Sequence, residues 1–559
     1  MKRQTVNILT ILYTMAFVLA GGYYELSAAV LSVGLLCFLL CQCRKGDLNY
    51  RINDAVIAVV SISFFYCFSV LWATDRGMAL WGSVKYLPVM LFGFSLMQVD
   101  GEKRKRMLEI IPEIAVAMTG ITYVMSLIPA LRGMVVVSGR LGGFFAYPNT
   151  YASFLLVAIV VWILRRQDVR IWEGIVLFFG MMQAQSRAVL AMMCVIIPVC
   201  LWIRKEKNLV IRVGICGVAG IAAAIVAGML KGGVPAHVFG ADASGGGTFW
   251  ARILYAKDAL PEILSHPFGF GYLGYFFRQG TFQHGYYTVR WVHNDFLQLC
   301  LDVGWIPAIL LVIAIVRSLR SHSPIMNKVV LLCLVGHMLF DFDMEFIAMY
   351  FVLLLCLNWD EMKPRRISVS PAVAALILTV VGSFCGYIGI VSAYTYQGAS
   401  AKAAGLYPWN TLAEAVLITQ KDEVEELEKY ADKILKQNSY AAIAWNAKAA
   451  AAYARGDFAA MITAKKEAIR ISPYHMDTYA EYFAMLRQGR DLYEMAGDAA
   501  SAAVCEKEIA AIGDMIRNLQ QSTDALAQKL GDQPDIVVPE GYADYMASEG
   551  MNEKTGGRK

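Results

Sequence analysis

Charge is what this chain has least of. Only 17% of its 559 residues are Asp, Glu, Lys or Arg, against about 25% in ordinary soluble domains. The remainder is dominated by apolar side chains, 57% of the total, with a mean hydropathy of +0.49. That scarcity excludes a disordered, collagenous or wholly soluble protein. A disulfide framework is missing too. Eleven of the twelve cysteines lie in or beside apolar segments, and only Cys505 sits in polar sequence. They read as small hydrophobes, with no C-x-x-C pair to hold a metal. Nor do the basic residues form a stripe on a folded face; they sit in short clusters between apolar runs, which excludes a nucleic-acid partner. The formal net charge of +5 hides a division near residue 399, with +11 before it and −6 after it.

Long apolar runs are present in number. A bilayer core requires roughly 20 apolar residues per helix, and thirteen segments approach that length, from 5–22 and 25–43 through 108–130 and 296–316 to 371–396. The expected fold is all-α: a polytopic membrane bundle of 12–13 transmembrane helices, residues 1–399, followed by an extracytoplasmic α-helical domain. With the N-terminus inside, the even-numbered gaps carry the Lys/Arg excess, as in Arg44, Lys45 and Arg51, the run Lys103 to Arg106, and Arg204, Lys205 and Lys207. The short outer gaps keep only Arg76, Arg132, Arg140 and Arg187. This is the positive-inside pattern of a cytoplasmic-membrane protein, and an odd number of spans puts the tail outside the cytoplasm. Met1-Lys2-Arg3 followed by apolar sequence to Gly21 also fits a secretory signal; a retained signal anchor is the favoured reading.

Two outward loops are neither short nor basic: 131–149, rich in glycine, and 231–295, whose length marks a functional segment. In the tail, Trp445, Gly456, Phe458, Ala468 and Pro473 fall at tetratricopeptide spacing. Residues 400–531 are therefore expected to form two or three helical hairpins, with a capping helix at 500–530, and to offer a docking surface for a protein partner. An ordinary helical domain with a chance match is the competing reading. Residues 532–559 are expected to be disordered.

The chemistry gathers on the outer side. An arginine near lipid is expensive and marks a functional site by default. Arg140 stands in a Gly-rich segment that leads to Pro148-Asn149; Arg187 follows Ser186 at a tight turn; Arg252 and Arg290 lie in the long loop, the latter just before Trp291-Val292-His293-Asn294. Each alone can snorkel to lipid head groups. Four on one face favour an anionic ligand, because guanidinium matches phosphate oxygens bidentately. The long loop also holds His237, His266, His284 and His293, with many aromatics, including Trp250, Tyr255 and Tyr286, that suit either sugar rings or an interfacial belt. No histidine pair has a metal-ligand spacing. His293, at the water boundary of the next span, is the best general base. Asp341-Phe342-Asp343 fits either a divalent cation or two helix caps. Capping is favoured, and cation binding by Asp341 and Asp343 stays open.

Arg140 with Gly142 and Pro148-Asn149-Thr150-Tyr151-Ala152, the Ser186-Arg187 turn, Arg252 followed by His266-Pro267-Phe268-Gly269-Phe270-Gly271, and His293-Asn294 with Gly304 ten residues beyond Asn294 together resemble the O-antigen ligase and polymerase superfamily. Pro307 departs from the pattern, standing where a final glycine is expected. The resemblance implies a metal-independent, inverting glycosyltransferase without a cofactor. Its donor would be an oligosaccharide on undecaprenyl diphosphate, its acceptor a glycan, lipid or protein hydroxyl. Arg140, Arg187, Arg252 and Arg290 would hold the diphosphate, His293 would be the base, and Pro148, Asn149, Ser186, Asn294 and Gly304 would support them. The alternative is a transporter or flippase for a lipid-linked glycan or another anion. Such a protein is expected to show internal two-fold repetition and broken midplane helices, and neither is visible in the sequence.

Overall fold

A computed structural model describes residues 8–165, 170–230, 244–360 and 362–549. It is all-α apart from two short two-stranded ribbons. Among the described residues, seven helices are long and apolar enough to cross a membrane, from Glu25–Cys43 to Pro371–Tyr396. Shorter apolar helices include Ile8–Val18, Pro148–Leu164, Ile171–Ala184, Ile325–Met338 and Ile347–Cys356.

The centre of the bundle follows from composition. Every residue of Ile347–Cys356 is buried, and so is every residue of Pro148–Leu164 except Asn149. Helices apolar on all sides need other helices around them, and both sit inside one large core with Leu9, Tyr13 and Phe17 of the first helix. Pro371–Tyr396 packs on Glu25–Cys43 and Lys207–Leu230 on Ile171–Ala184, leaving apolar faces outward at Leu376, Val380, Val218 and Leu230. Such faces suit lipid.

Contacts between connecting segments follow the parity of the gaps. Leu48–Tyr50 pairs with Arg365–Ile367, and Asp360 joins Arg51 and Arg104. Arg165 joins Glu113 and Glu173, while Arg204 donates to the Arg165 carbonyl at 2.6 Å. The paired strands, Asp360 and these arginines lie in even-numbered gaps, and Glu113 and Glu173 in the first turns of the helices that leave such gaps. The odd-numbered ones meet one another and the tail.

Three expectations need correction. The segment 296–316 is not one helix but two, Asp295–Val303 and Trp305–Arg320, broken at Gly304 with φ +84°. The loop 266–271 inserts there. Phe270 N and Gly271 N donate to the Leu301 and Asp302 carbonyls at 2.6 and 2.9 Å, and Trp305 N donates to the Pro267 carbonyl at 3.1 Å. The orphaned groups at both helix ends are thus met by the His266–Gly271 segment. Second, the segment 231–295, read as one long loop, carries helices Ser244–Ser265 and Gly274–Arg278; the part holding His237 lies outside the described residues. Third, residues 532–549 are ordered. Tyr542 and Tyr545 of helix Tyr542–Ser548 are buried against Phe483, and Tyr542 Oη accepts from Gly513 N at 3.1 Å.

The tail stacks helical hairpins, Ala442–Ala454 with Phe458–Ile471 and Met476–Met495 with Ala499–Ser522. Each turn uses a left-handed glycine, Gly456 or Gly497, followed by a capping Asp457 or Asp498 that accepts from the third residue on. The two glycines stand 41 residues apart, whereas tetratricopeptide units repeat every ~34, because the second hairpin has longer arms. The tail packs back on the connecting segments around 75–77 and 284–286. Asn438 donates to Asp75 at 3.1 Å and Tyr407 to the Gly77 carbonyl at 2.9 Å. Asp524 N donates to the His284 carbonyl at 2.7 Å, and Gln533 exchanges two bonds of 2.8 Å with Tyr286.

A Cβ at Gly304 would lie 2.0 Å from the Pro267 carbonyl oxygen, in a backbone region that only glycine occupies comfortably. Gly304→Ala is expected to cost at least about 2 kcal/mol, read as a lowered Tm of the detergent-purified protein; an unchanged Tm contradicts the break as described.

Candidate functional site

Asp341 is fully buried in the turn after helix Ile325–Met338, and four side chains from distant parts of the chain meet it. Tyr147 Oη donates to Oδ1 at 2.9 Å and Asn149 Nδ2 to Oδ2 at 2.9 Å. Arg252 Nη2 donates to Oδ2 at 3.0 Å, and His293 Nδ1 lies 3.2 Å from Oδ1. A buried carboxylate is tolerated only when paired and hydrogen-bonded, and this one is both. Burial alone would raise its pKa, but the hydrogen bond and charge of His293, with Arg252, hold it below the ordinary carboxylate range.

Each partner is delivered by local structure. Pro148 opens helix Pro148–Leu164 at its first position, where a missing N–H costs nothing. The unburied Asn149 then reaches both Asp341 and Arg140, whose Nη2 donates to Asn149 Oδ1 at 2.7 Å. Helix Ile171–Ala184 ends at Gln185 in the left-handed region, and Arg187–Arg204 begins after Ser186, which is buried. The Ala184 carbonyl freed by that turn accepts from Arg140 Nε at 2.9 Å. The Ser186-Arg187 turn is thereby tied to Arg140. Arg140 senses its surroundings: burial lowers its pKa, Asp341 raises it, and the neighbouring Arg252 and Arg187 lower it. Three arginines expected on one face therefore lie within electrostatic reach of one another.

His293 has φ +55°, an unusual backbone for a side chain of this size. Asn294 explains how it is held. It caps helix Asp295–Val303 by accepting from Phe296 N and Leu297 N at 3.1 and 3.0 Å, and donates to the Leu339 carbonyl at 3.0 Å. The imidazole packs edge-on to Phe342 at 4.9 Å and lies 6.0 Å from the Tyr255 ring.

Arg290 is placed differently from the other three. Its Nη2 donates to Tyr396 Oη at 2.6 Å, and its guanidinium stacks over Trp291 and Tyr396. It joins Tyr23, Glu25 and Tyr272 rather than Asp341. The two aspartates of the D-x-D segment also part company. Asp343 accepts from Thr150 at 2.7 Å and Ser153 at 2.9 Å, with His337 Nδ1 2.6 Å away, so the pair does not converge on one point. Among the described residues no group of three or more His, Cys, Asp or Glu is arranged to hold a metal ion. Sequence reasoning missed the roles of Tyr147 and Asp341; the only signal for them was the conspicuous acidity of 341–345.

A graded test follows. Tyr147→Phe removes one hydrogen bond to a charged group, costing about 1.5–3 kcal/mol. Asp341→Asn breaks a buried ion pair and is expected to cost about 3–5 kcal/mol. Denaturation of the two purified variants checks the order, and equal losses contradict the hub.

A family model described as O-antigen ligase matches residues 174–312. The match runs from helix Ile171–Ala184 through Ser186-Arg187, Arg252 and His293-Asn294 to helix Trp305–Arg320, and so contains most of the cluster; Arg140 and Asp341 lie on either side of it. No curated protein matches the chain. Across these residues the chain is similar to an O-antigen ligase domain, and the match supports a place in the O-antigen ligase and polymerase superfamily.

Proposed function

We propose that this protein transfers or polymerises oligosaccharide from a polyprenyl-diphosphate donor at the outer face of the cytoplasmic membrane. The family supports the coarser statement directly: a multi-pass membrane protein of cell-surface polysaccharide assembly, with a lipid-linked glycan donor and a glycan acceptor. The observation that carries the finer reading is the sharing of Asp341 between His293 and Arg252, with Arg140 attached through Asn149. A transport role gains no support from the family.

A carboxylate only accepts. Asp341 therefore keeps the His293 proton on Nδ1, leaving the Nε2 lone pair for an acceptor hydroxyl. As Nε2 takes the proton of the acceptor hydroxyl, the hydroxyl oxygen attacks the anomeric carbon. The bond from carbon to diphosphate oxygen breaks, and its electron pair leaves with the lipid diphosphate. Attack opposite the leaving group inverts the anomeric centre. Arg140, Arg187 and Arg252 receive the charge that develops on the diphosphate, the preorganised electrostatic stabilisation that usually dominates. Because Arg252 and His293 hold opposite oxygens of one carboxylate, base and cation keep a fixed separation. Arg290, engaged with Tyr396, is assigned to holding the segment before His293 rather than to the diphosphate. The parity of the gap contacts supports an outer location for the cluster.

His293→Ala is expected to lower transfer by roughly 10²–10⁴-fold, the usual share of a general base, and cells carrying it should accumulate unreacted lipid-linked oligosaccharide. Arg140→Lys, which keeps the charge and loses the bidentate fork, is expected to lower turnover as well. Mass analysis of lipid-linked intermediates checks both, and normal surface glycan in the His293 variant sinks the mechanism.

A further inference from the structure

Helix Ser244–Ser265 continues past the site described above. Arg252 reaches Asp341, and Tyr255 lies beside His293. At 1.5 Å per residue, Asp258 stands about 9 Å and Glu262 about 15 Å further along the axis. There the helix meets the tail, and between them opens a cleft of about 620 Å³, with Asp258, Glu262, Gln283 and His284 on the loop side and Arg470 and Asn518 on the tail side.

Two features mark this cleft as more than a seam. His284 is held rigidly: its Nδ1 lies 2.8 Å from Asp258 Oδ1, its backbone N donates to Asp258 Oδ2 at 3.0 Å, and Tyr287 Oη donates to the same oxygen at 3.0 Å. With Asp258 buried and the imidazole half-exposed, Asp258 occupies Nδ1 and leaves Nε2 as the ring nitrogen open to a ligand in the cleft that His284 lines. Gln283 Oε1, in contrast, is buried without a hydrogen-bond partner among the described residues. An acceptor left so is costly unless a donor reaches it.

Gln283 also lines a second opening of about 320 Å³ beyond the contact of Gly280 with Ile471, and that opening is walled by Phe276, Phe277, Tyr286 and Tyr440. The wall is aromatic on one side of Gln283. On the other it carries neutral amides, an oriented imidazole and side chains of both charge signs. A polyhydroxylated ring has apolar faces for the first and hydroxyls that both donate and accept for the second. A strongly charged ligand would face Glu262 and Arg470 together.

We propose that the cleft between helix Ser244–Ser265 and the tail is a saccharide-binding subsite that holds the glycan chain several ångströms beyond the reacting sugar, with Gln283 and the Asp258-oriented His284 as its hydrogen-bonding groups. It rests on the glycosyltransferase reading in its choice of ligand, though not in its geometry. The tail is then part of the substrate site rather than a separate module. That explains why it is tied to the same loop by Lys257 to Asp524 and by Gln533 to Tyr286.

The test uses the full-length protein in detergent, with soluble oligosaccharides of one to several repeats cut from the host's own surface polysaccharide as the probe. Asn518 is exposed, so Asn518→Trp fills the cleft without disturbing the tail's core, and Gln283→Ala removes the unpaired acceptor. Both are expected to weaken oligosaccharide binding by at least about tenfold and to raise a KM in the transfer assay while kcat holds. A raised KM for the soluble acceptor assigns the subsite to the acceptor chain; a raised KM for the lipid-linked donor assigns it to the donor's glycan. Oligosaccharide affinity and both KM values unchanged in the two variants overturn the proposal, as does a wild-type protein that transfers glycan yet gains nothing in affinity from longer probes. If the wild-type protein binds the probe in an Asn518→Trp-sensitive way but forms no glycosidic bond, the subsite stands and the transferase reading falls.

Discussion

The candidate site of this molecule is organised around one carboxylate. Asp341 has no exposure to water, and its two oxygens are divided among Tyr147, Asn149, Arg252 and His293, residues contributed by three separate segments of the chain. Removing a charge from water is repaid only by near-complete pairing, so the buried position of Asp341 requires those segments to be where they are. The dependence runs outward as well. Asn149 positions Arg140, and Arg140 ties down the Ala184 carbonyl at the Ser186-Arg187 turn. One buried charge thereby sets the mutual placement of His293 and a group of arginines.

Holding the long loop against Asp341 takes two further devices. Gly304 breaks what is otherwise one apolar helix, and the freed carbonyls of Leu301 and Asp302 bind Phe270 and Gly271, pinning the loop near its middle. The tail pins it from above, through Asp524, Gln533 and the buried Ala527 against Leu254 and Gly285. The described part of this connection, 244–295, is anchored at several points and so loses much of its freedom, and preorganisation of that kind is where catalytic electrostatics draw their strength.

The membrane helices were legible because hydropathy is a property of each segment by itself, and all thirteen apolar runs contain helix. The break at Gly304 was harder to read: Phe296, Leu299 and Leu301 before it and Ile306 and Leu310 after it keep the run apolar, and only the pairing with the distant 266–271 segment shows why the helix stops. The outward arginines could be picked out by their exception to the positive-inside pattern, but not sorted. Arg290 resembles Arg252 in its aromatic neighbourhood and differs only because Tyr396, more than a hundred residues on, takes its guanidinium. Asp341 looked like a helix cap for the same reason, since the residues that make it a hub lie 48 to 194 positions away. Structure in 532–549 was hidden by polar composition, with Tyr542 and Tyr545 as its buried anchors.

The central claim is that the Asp341 cluster breaks a bond between sugar and lipid diphosphate while forming a new glycosidic bond. Purified protein reconstituted in vesicles with its lipid-linked oligosaccharide tests it, by counting polyprenyl diphosphate released against glycosidic bonds made. One diphosphate released per inverted linkage, abolished by His293→Ala, is the result predicted here. Passage of the lipid-linked glycan across the bilayer with no diphosphate released would contradict it.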